Sequence, residues 1–242
     1  MKKAIIIGAT SGIGQEVAKC LLKEGWRVGI AGRREQLLRD MQQKAPGRVC
    51  VQVLDVTDEQ APEKLHQLIE QTGGMDLFLL SSGIGFQNTA LNSDIELNTV
   101  RTNVEGFTRM VDSAFLYFKQ NGGGQLAVIS SIAGTQGLGV APAYSATKRF
   151  QNTYIDALEQ LAHLQKLPIC FTDIRPGFVS TALLNDGKHY PMLMKVERAG
   201  RLVTQALLKQ KRVAVIDWRY GVLVFFWRLI PRWLWKRLPI HT

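Results

Sequence analysis

Cysteine and histidine are scarce in this chain of 242 residues, and neither type is clustered. The three cysteines, Cys20, Cys50 and Cys170, form no Cys-x-x-Cys pair, and each lies in or beside an apolar run. This spacing excludes a disulfide framework and predicts reduced core thiols of a cytosolic protein. The four histidines are isolated and offer no metal-ligand spacing, so we expect no metal site.

The sequence also has no long apolar run. The N-terminal Met-Lys-Lys leads into only four apolar residues before Gly8, too few for a secretory signal peptide, and we predict a first strand there. Near the C-terminus the longest uncharged run, Tyr220 to Trp227, has eight residues, whereas a helix needs roughly 20 to span a bilayer. A transmembrane helix is therefore not expected.

No low-complexity segment, Pro/Ser-rich linker or internal repeat divides the chain. Its 46% hydrophobic and 21% charged residues are typical of a folded protein, and its length suits one α/β domain over residues 1–242. Two small domains fit this length less well.

Acidic residues are nearly missing from the C-terminal part, which holds most of the excess positive charge. Residues 209–242 carry eight Lys/Arg and one Asp, so they account for +7 of the formal net charge of +10. A near-neutral body with a basic extension indicates a local surface interaction. Nucleic-acid binding is not expected, because the chain lacks a recognition motif.

Glycine, by contrast, is concentrated after the first predicted strand, which covers Lys3 to Gly8. The turn reads Gly8-Ala-Thr-Ser-Gly12-Ile-Gly14, and a predicted helix (Gln15 to Glu24) and a second strand (Arg27 to Ala31) follow it. Glycines let a backbone approach a pyrophosphate, whose charge then rests at the helix N-terminus. This βαβ unit predicts nucleotide binding; the alternative is a tight turn without a ligand.

Two arginines follow the second strand, in Gly32-Arg33-Arg34-Glu35. NAD-binding proteins of this architecture usually carry an acidic residue here, which holds the ribose 2′-hydroxyl. Arginines instead suit a 2′-phosphate through charge-assisted bonds, whereas cations are unfavourable at a solvated helix start. We therefore predict NADP(H) in preference to NAD(H).

Predicted strands alternate with helices along the rest of the chain. The later strands cover residues 49–54, 75–80, 125–129 and 169–174, and a longer helix starts at about Leu97. This alternation predicts an α/β fold of the Rossmann type, a doubly wound parallel sheet with helices on both faces. Ligands of such sheets bind beyond the carboxyl ends of the strands.

The stretch from Ser130 to Lys148 joins the strand at 125–129 to a predicted helix at 150–164. Tyr144 and Lys148 are four residues apart, so on a helix they share one face. An ammonium beside a phenol lowers the phenol pKa from about 10, and the Ser131 hydroxyl can hold a carbonyl oxygen against that phenol. By itself the Tyr-x-x-x-Lys pair is a weak signal, because many helices contain one by chance.

Together these features resemble the short-chain dehydrogenase/reductase family, classical type, over roughly residues 3–182. The resemblance rests on motifs in the expected order: Gly8-x-x-x-Gly12-Ile13-Gly14, Asp55, Asn103, Ser131, Tyr144-x-x-x-Lys148 and Pro176-Gly177-x-x-x-Thr181. Ser131 precedes Tyr144 by 13 residues, the usual spacing of the family, which selects Ser131 over Ser130.

The resemblance implies an NAD(P)-dependent oxidoreductase of carbonyl and secondary alcohol groups, with Asn103, Ser131, Tyr144 and Lys148 as catalytic residues. It implies that Tyr144 moves a proton to or from the substrate oxygen, which Ser131 orients. Lys148 is expected to lower the Tyr144 pKa and bind the nicotinamide ribose, and Asn103 to hold a water that links Lys148 to solvent. The implied cofactor-binding residues are Gly8, Thr10, Ser11, Gly12, Ile13, Gly14, Arg33, Arg34, Asp55, Val56, Ser82, Gly83, Tyr144, Lys148, Pro176, Gly177, Val179 and Thr181.

Two positions depart from the family pattern. After the fourth strand the family usually has Asn-Asn-Ala-Gly, whereas this chain has Leu80-Ser81-Ser82-Gly83. The lost Asn predicts some local instability without loss of activity. The basic residue that many NADP-preferring members carry before the second glycine is replaced by Ser11, so phosphate recognition is expected to rest mainly on Arg33 and Arg34.

The C-terminal extension, residues 209–242, is the least similar to the family. Apolar residues recur in it at helical spacing between basic residues: Val222, Phe225, Phe226, Leu229, Ile230, Trp233 and Leu234. Pro231 breaks any single long helix into two pieces. Three interpretations compete: a core or subunit-interface helix, an interfacial membrane helix, and a lid over an apolar substrate pocket.

The leading hypothesis is a cytoplasmic NADP(H)-dependent ketone reductase for an apolar or lipid-like substrate, for example a 3-keto acyl-type compound. Because family members commonly associate through the helices near Asn103 and Tyr144, we expect a homodimer or homotetramer; peripheral membrane contact through the extension is a further expectation. The alternative is a non-catalytic NADP-binding regulatory or membrane-surface interaction protein on the same scaffold. Intact Ser131, Tyr144 and Lys148 favour the enzyme, because drift would remove them first.

Overall fold

The computed structural model describes residues 1–184 and 190–240. The strands in these ranges are β1 (Lys3–Ile7), β2 (Arg27–Gly32), β3 (Val49–Val53), β4 (Leu77–Leu80), β5 (Gly124–Ile129), β6 (Ile169–Pro176) and β7 (Val213–Ile216). They form one sheet in the order β3-β2-β1-β4-β5-β6-β7, and every neighbouring pair is parallel. The predicted parallel α/β architecture is confirmed.

Helices connect these strands. The helices in the described ranges are α1 (Gly12–Lys23), α2 (Glu35–Lys44), α3 (Ala61–Thr72), α4 (Ser93–Val100), α5 (Phe107–Gln120), α6 (Pro142–Leu164), α7 (Val196–Leu208), α8 (Trp218–Leu229) and α9 (Arg232–Trp235). A π-helical segment (Arg101–Gly106) joins α4 to α5, and single 3₁₀ turns cover Ile132–Gly134 and Ala182–Leu184.

Each face of the sheet carries its own hydrophobic core. Alternate residues of β1 point to opposite faces, so Ile5 packs with residues of α3, α5 and α6, whereas Ile6 packs with residues of α1, α2 and α7. Both side chains are fully buried, as expected for a parallel sheet that is covered on both sides. The predicted placement of helices on both faces is thus confirmed.

The strand order reverses at β1, which lies between β2 and β4. The connections from β1 and β4 therefore leave the sheet in opposite directions and open a crevice beyond their carboxyl ends. The Gly8–Gly14 turn and the Ser81–Gly85 segment flank this crevice, and a backbone hydrogen bond of 2.8 Å from Ser81 N to Ile7 O joins the second segment to the end of β1.

Three sequence-based expectations differ from the structure. The helix expected from about Leu97 begins earlier, because the Asn92 side chain caps α4 by accepting hydrogen bonds from Asp94 N and Ile95 N. Cys170, the second residue of β6, is exposed, so the prediction of a core thiol is wrong for this residue. The interpretation of the extension as a core helix is also wrong, because most of the apolar side chains of α8 and α9 are exposed. The helical segment does break at Pro231, as predicted.

Candidate active site

The predicted catalytic side chains come together beyond the carboxyl ends of β4 and β5. Strand β5 ends at Ile129 and delivers Ser131, whose side chain caps the following 3₁₀ turn through a 3.1 Å hydrogen bond from Ala133 N. Helix α6 starts at Pro142, a favourable first helical residue, and carries Tyr144 and Lys148 one turn apart. The Lys148 ammonium lies 5.7 Å from the centre of the Tyr144 ring.

Tyr144 is held in place by close packing and by Ser131. Its ring lies against the main chain of Gly85, so closely that a Cβ atom on residue 85 would stand 2.3 Å from the ring. Burial raises the pKa of the Tyr144 phenol above its ordinary value of 10.0, and a side-chain hydrogen bond with Ser131 lowers it in part. The implied lowering of the Tyr144 pKa by Lys148 is not seen, because burial is the dominant cause.

Lys148 is almost fully buried, with 4% of its surface exposed. Its Nζ donates hydrogen bonds of 3.0 Å to the Ile129 carbonyl and 3.0 Å to Gln151 Oε1. Burial lowers the pKa of Lys148 to about 8, and the negative charge of Asp173 opposes this shift. The Lys148 ammonium can therefore release its proton near physiological pH.

Asn103 lies in the π-helical segment, a rare conformation that is frequent at functional sites. Its side chain donates to Ile84 O at 2.6 Å and to Thr147 Oγ1 at 3.1 Å, and accepts from Ile84 N at 2.9 Å. Its main-chain oxygen accepts a 2.9 Å hydrogen bond from Gln151 Nε2. Gln151 therefore connects the main chain of Asn103 to Lys148.

A second buried polar cluster lies beneath the site, around Asp173 of β6. The carboxylate, which has no exposed surface, accepts hydrogen bonds from Ser130 Oγ, from Asn152 Nδ2 at 2.9 Å and from Arg175 Nε at 2.8 Å. Ser130 thus faces Asp173, whereas Ser131 faces Tyr144. The two adjacent serines therefore have different partners.

The glycine turn after β1 presents bare main chain to the crevice. Gly8 has a φ of +90°, which side chains rarely adopt, and a Cβ atom there would lie 2.6 Å from Ser82 N. Across the turn, a Cβ atom on Gly12 would lie 3.3 Å from the Thr181 methyl group, so the segment after β6 closes over the turn. A pyrophosphate fits such a surface, since α1 begins at Gly12 and directs its N-terminus to it.

Arg34 folds back over the same turn. Its guanidinium donates to Thr10 Oγ1 at 2.8 and 3.2 Å and to Ser11 Oγ at 2.5 Å. Arg33 is 73% exposed and lies 3.7 Å from the Asp55 carboxylate. The other carboxylate oxygen of Asp55 accepts bonds from Thr57, at 3.0 Å from its N and 2.8 Å from its Oγ1. The two hydroxyls of the glycine turn and the two guanidinium groups that follow β2 fit a phosphate ester on a ribose.

The remaining residues predicted to bind a cofactor line the same crevice or support it. A Cβ atom on Gly83 would lie 3.4 Å from Lys148 Nζ, while Ile13, Val56 and Val179 are buried or half-buried in the hydrophobic cores. The Pro176 carbonyl lies 3.5 Å from Ser131 Oγ. Gly177 packs against the ring of Tyr220, at the start of α8.

Sequence reasoning missed Gly85, Gln151 and the Asp173 cluster. Gln151 lies three residues after Lys148, so helical spacing could have indicated that the two side chains share one face of α6. Gly85 and Tyr144 are 59 positions apart, and no local pattern indicates their contact. Tyr220 was counted only with the extension, yet it is fully buried and its Oη accepts a 3.0 Å bond from Phe178 N.

Comparison with known proteins shows the family of the chain. A family model described as short chain dehydrogenase matches residues 2–189. An uncharacterized oxidoreductase of Myxococcus xanthus is 31% identical over 237 residues, which are 95% of this chain and 93% of the relative. An uncharacterized oxidoreductase of Staphylococcus aureus (strain MW2) is 32% identical over 186 residues, 75% of this chain and 80% of the relative.

Two solved structures share the fold. The 3-ketoacyl-(acyl-carrier-protein) reductase from Brucella melitensis, complexed with NADH, superposes with a TM-score of 0.79 at 22% identity, covering 89% of this chain and 96% of that one. The alcohol dehydrogenase from Thermococcus sibiricus, complexed with 5-hydroxy-NADP, gives a TM-score of 0.76 at 23% identity, covering 89% and 95%.

Proposed function

Since the chain belongs to the short-chain dehydrogenase family and is an NAD(P)-dependent oxidoreductase of alcohol and carbonyl groups, we propose that it works as a ketone reductase that prefers NADP(H) to NAD(H). The observation that carries the proposal is the convergence of Ser131, Tyr144 and Lys148 beside the glycine turn. We further propose that residues 1–242 form one domain and that Asn103 belongs to the catalytic set.

The proposed chemistry divides one reduction between a hydride and a proton. The nicotinamide supplies the hydride to the carbonyl carbon when bound. Ser131 holds the carbonyl oxygen by a hydrogen bond, and the Tyr144 hydroxyl transfers its proton to that oxygen, so that a secondary alcohol results. The Lys148 ammonium stabilises the phenolate that remains, since an opposite charge nearby favours the charged form. Oxidation of the alcohol is the same step in reverse.

Coenzyme preference is proposed from the groups at the end of β2. Arg34 already binds the hydroxyls of Thr10 and Ser11, so a 2′-phosphate placed there meets one guanidinium and two hydroxyl donors. An acidic side chain facing this phosphate would repel it, and Asp55 is neutralised in part by Arg33. The two arginines thus favour NADP(H), as the sequence predicts.

The proposed substrate is an apolar or lipid-like ketone, for example a 3-keto acyl-type compound. The exposed apolar side chains of α8 and α9 support this class, because the extension is anchored beside the site: Trp235 Nε1 donates to Gly137 O at 2.7 Å and Gln136 Nε2 to Trp227 O at 3.3 Å. No helix in the described part of the chain is long and apolar enough to cross a membrane. We propose a cytoplasmic homodimer or homotetramer that contacts a membrane peripherally through this extension and binds no nucleic acid.

The test is NADPH oxidation with ketones graded by chain length, from short polar to long acyl ketones. The proposal expects turnover that increases with chain length and is faster with NADPH than with NADH. Absence of turnover with every ketone, together with retained NADPH binding, would favour the alternative, a non-catalytic NADP-binding regulatory or membrane-surface interaction protein.

A further inference from the structure

A cavity of about 840 Å³ lies between α6, the loop after Ser131 and the C-terminal helices. The loop residues 134–139 form one wall, the first turns of α6 form another, and α8 and α9 close the third side. Three arginines line the cavity, Arg149 from α6, Arg228 from α8 and Arg232 from α9. Among the described residues, no aspartate or glutamate lines it.

These arginines are free of partners within residues 1–184 and 190–240, where none of them forms an ion pair or a side-chain hydrogen bond. Other arginines of the chain are paired, for example Arg175 with Asp173 and Arg212 with Asp156. Three like charges around one cavity repel each other unless an anion lies between them. Guanidinium groups bind phosphate oxygens in a bidentate manner, so the lining suits a phosphate ester.

The walls of this cavity are fixed by contacts between the extension and the loop. The Trp235–Gly137 and Gln136–Trp227 hydrogen bonds join the two, and the rings of Trp227 and Trp235 pack edge to face at 5.4 Å. Arg228 and Arg232 therefore belong to the wall formed by the extension, whereas Arg149 belongs to the wall formed by α6.

An exposed apolar face adjoins the cavity. Helix α8 buries Tyr220 and Val224 against the protein, whereas Phe225 is 61% and Leu229 is 64% exposed on the other side. Arg228 follows Phe225 by three residues, so the two are neighbours on the helix surface. Trp218, Val222, Phe226 and Trp233 extend the exposed apolar face.

Charge decides which partner fits this face. Residues 218–240 carry five Lys/Arg and no Asp or Glu, and the preceding Asp217 is buried and paired with Arg198 and Arg219. Two copies of the chain joined through this face would bring these like charges together. Aromatic side chains with basic residues at their flank suit instead the headgroup region of a bilayer that contains anionic lipid.

We propose that α8 and α9 lie on a membrane containing anionic phospholipid, and that the cavity of Arg149, Arg228 and Arg232 binds the phosphate group of one such lipid. This inference rests on the proposed peripheral contact and adds a headgroup site and a lipid class to it. The apolar face of α8 would then contact the acyl chains beside the bound headgroup.

Flotation of the full chain with vesicles tests the proposal. We expect recovery with phosphatidylcholine vesicles that contain phosphatidylglycerol, little recovery with phosphatidylcholine alone, and weaker binding at high salt. Each basic residue near an anionic surface changes affinity roughly fivefold, so a triple variant Arg149→Gln, Arg228→Gln, Arg232→Gln should lose about 100-fold. The matched control removes three charges elsewhere, Lys44→Gln, Lys119→Gln, Arg201→Gln, and should bind within a few-fold of wild type.

Two further measurements make the result unambiguous. Phe225→Ser with Phe226→Ser, both at exposed positions, should weaken vesicle binding without a change in the unfolding midpoint. Inorganic phosphate and short-chain phosphatidylglycerol are compared by calorimetry. Equal affinity without recovery on vesicles would show a site for a free phosphate and overturn the proposal. Wild-type recovery of the triple variant, or a change in its oligomeric state by light scattering, would overturn it also. Turnover of a short water-soluble ketone with NADPH is measured separately, so a failure of the lipid-binding proposal would not contradict the proposed reductase activity.

Discussion

The ammonium of Lys148 donates a 3.0 Å hydrogen bond to Gln151 Oε1, and the two side chains are buried together on one face of α6. The other end of the Gln151 amide donates to the main-chain oxygen of Asn103 at 2.9 Å. An amide at this place fixes the ammonium and stabilises its charge, because its oxygen is an acceptor and both side chains are buried. We therefore expect Gln151 to be a positioning residue that acts through Lys148.

Replacing Gln151 should move the pH dependence of the reaction in a direction set by the new side chain. In Gln151→Leu the ammonium loses an acceptor, so the pKa of Lys148 falls by about one unit and the alkaline limb of kcat/KM shifts to lower pH. Gln151→Glu supplies a negative charge and should shift the same limb to higher pH. The measurement is a pH–rate profile of the three proteins. A purely structural role predicts shifts of both variants in the same direction, or none.

Tyr144→Phe should abolish nearly all turnover and leave coenzyme binding intact. Loss of a general acid typically lowers kcat by 10² to 10⁴, and we expect about 10³. NADPH binding is followed by the quenching of protein fluorescence and should change less than about threefold. Tyr154→Phe on the same helix is the matched control: its hydroxyl donates to Asp112 at 2.7 Å, away from the site, and its removal should leave kcat unchanged. A Tyr144→Phe protein with wild-type turnover contradicts the proposed mechanism.

The buried Lys148 should make the coenzyme-free protein more stable at alkaline pH. The folded chain loses the Lys148 proton near pH 8, whereas the unfolded chain keeps it to about 10.5. Between these values the unfolded state binds more protons, so the free energy of unfolding rises with pH, by roughly 3 kcal/mol at most. Urea unfolding of wild type and Lys148→Met from pH 7 to 10 isolates this effect, since other groups cancel in the difference. If the free energies of unfolding of the two proteins changed in parallel with pH, the prediction would be wrong.

The sheet and the position of the crevice follow from the sequence because they depend on local pattern. Four apolar residues before Gly8 specify a buried strand, and parallel strands bring their carboxyl ends to one edge. Segments as distant as Gly8 and Thr181 therefore had to meet, and the family spacing of Ser131 and Tyr144 located the candidate catalytic pair at the same edge of the sheet.

Contacts between side chains of separate elements could not be predicted from the sequence in this way. The approach of Gly85 to Tyr144 depends on how far α6 stands from the end of β4, a distance that no periodicity encodes. The two faces of α8 were also indistinguishable, because Tyr220 and Val224 are as apolar in pattern as Phe225 and Leu229. Only packing shows that the first pair is buried and the second exposed.

Arg34 should carry most of the preference for NADPH. Arg34→Leu removes a charge-assisted bond to the 2′-phosphate worth about 1.5 to 3 kcal/mol, so we expect a roughly 10- to 100-fold higher Kd for NADPH and little change for NADH. Arg33→Leu should have a smaller effect, because Arg33 is 73% exposed and already lies near Asp55. Calorimetric titration of both coenzymes measures the ratio, with Arg201→Leu as the control. An equal loss for NADH and NADPH would contradict the assignment of Arg34 to the phosphate.

Gly85 should be required for the position of the Tyr144 ring. A Cβ atom in Gly85→Ala would stand 2.3 Å from that ring, so either the ring or the segment after β4 has to move. A displacement of about 1 Å costs on the order of 100-fold in rate, whereas overpacking of this size costs only about 1 to 3 kcal/mol of stability. Gly221→Ala is the matched control, since an added Cβ there meets no atom within 4 Å. We therefore expect Gly85→Ala to remain folded with kcat about 100-fold lower, and Gly221→Ala to match wild type in both. If Gly85→Ala kept kcat within twofold, the contact between residue 85 and Tyr144 could not be what sets the geometry of proton transfer.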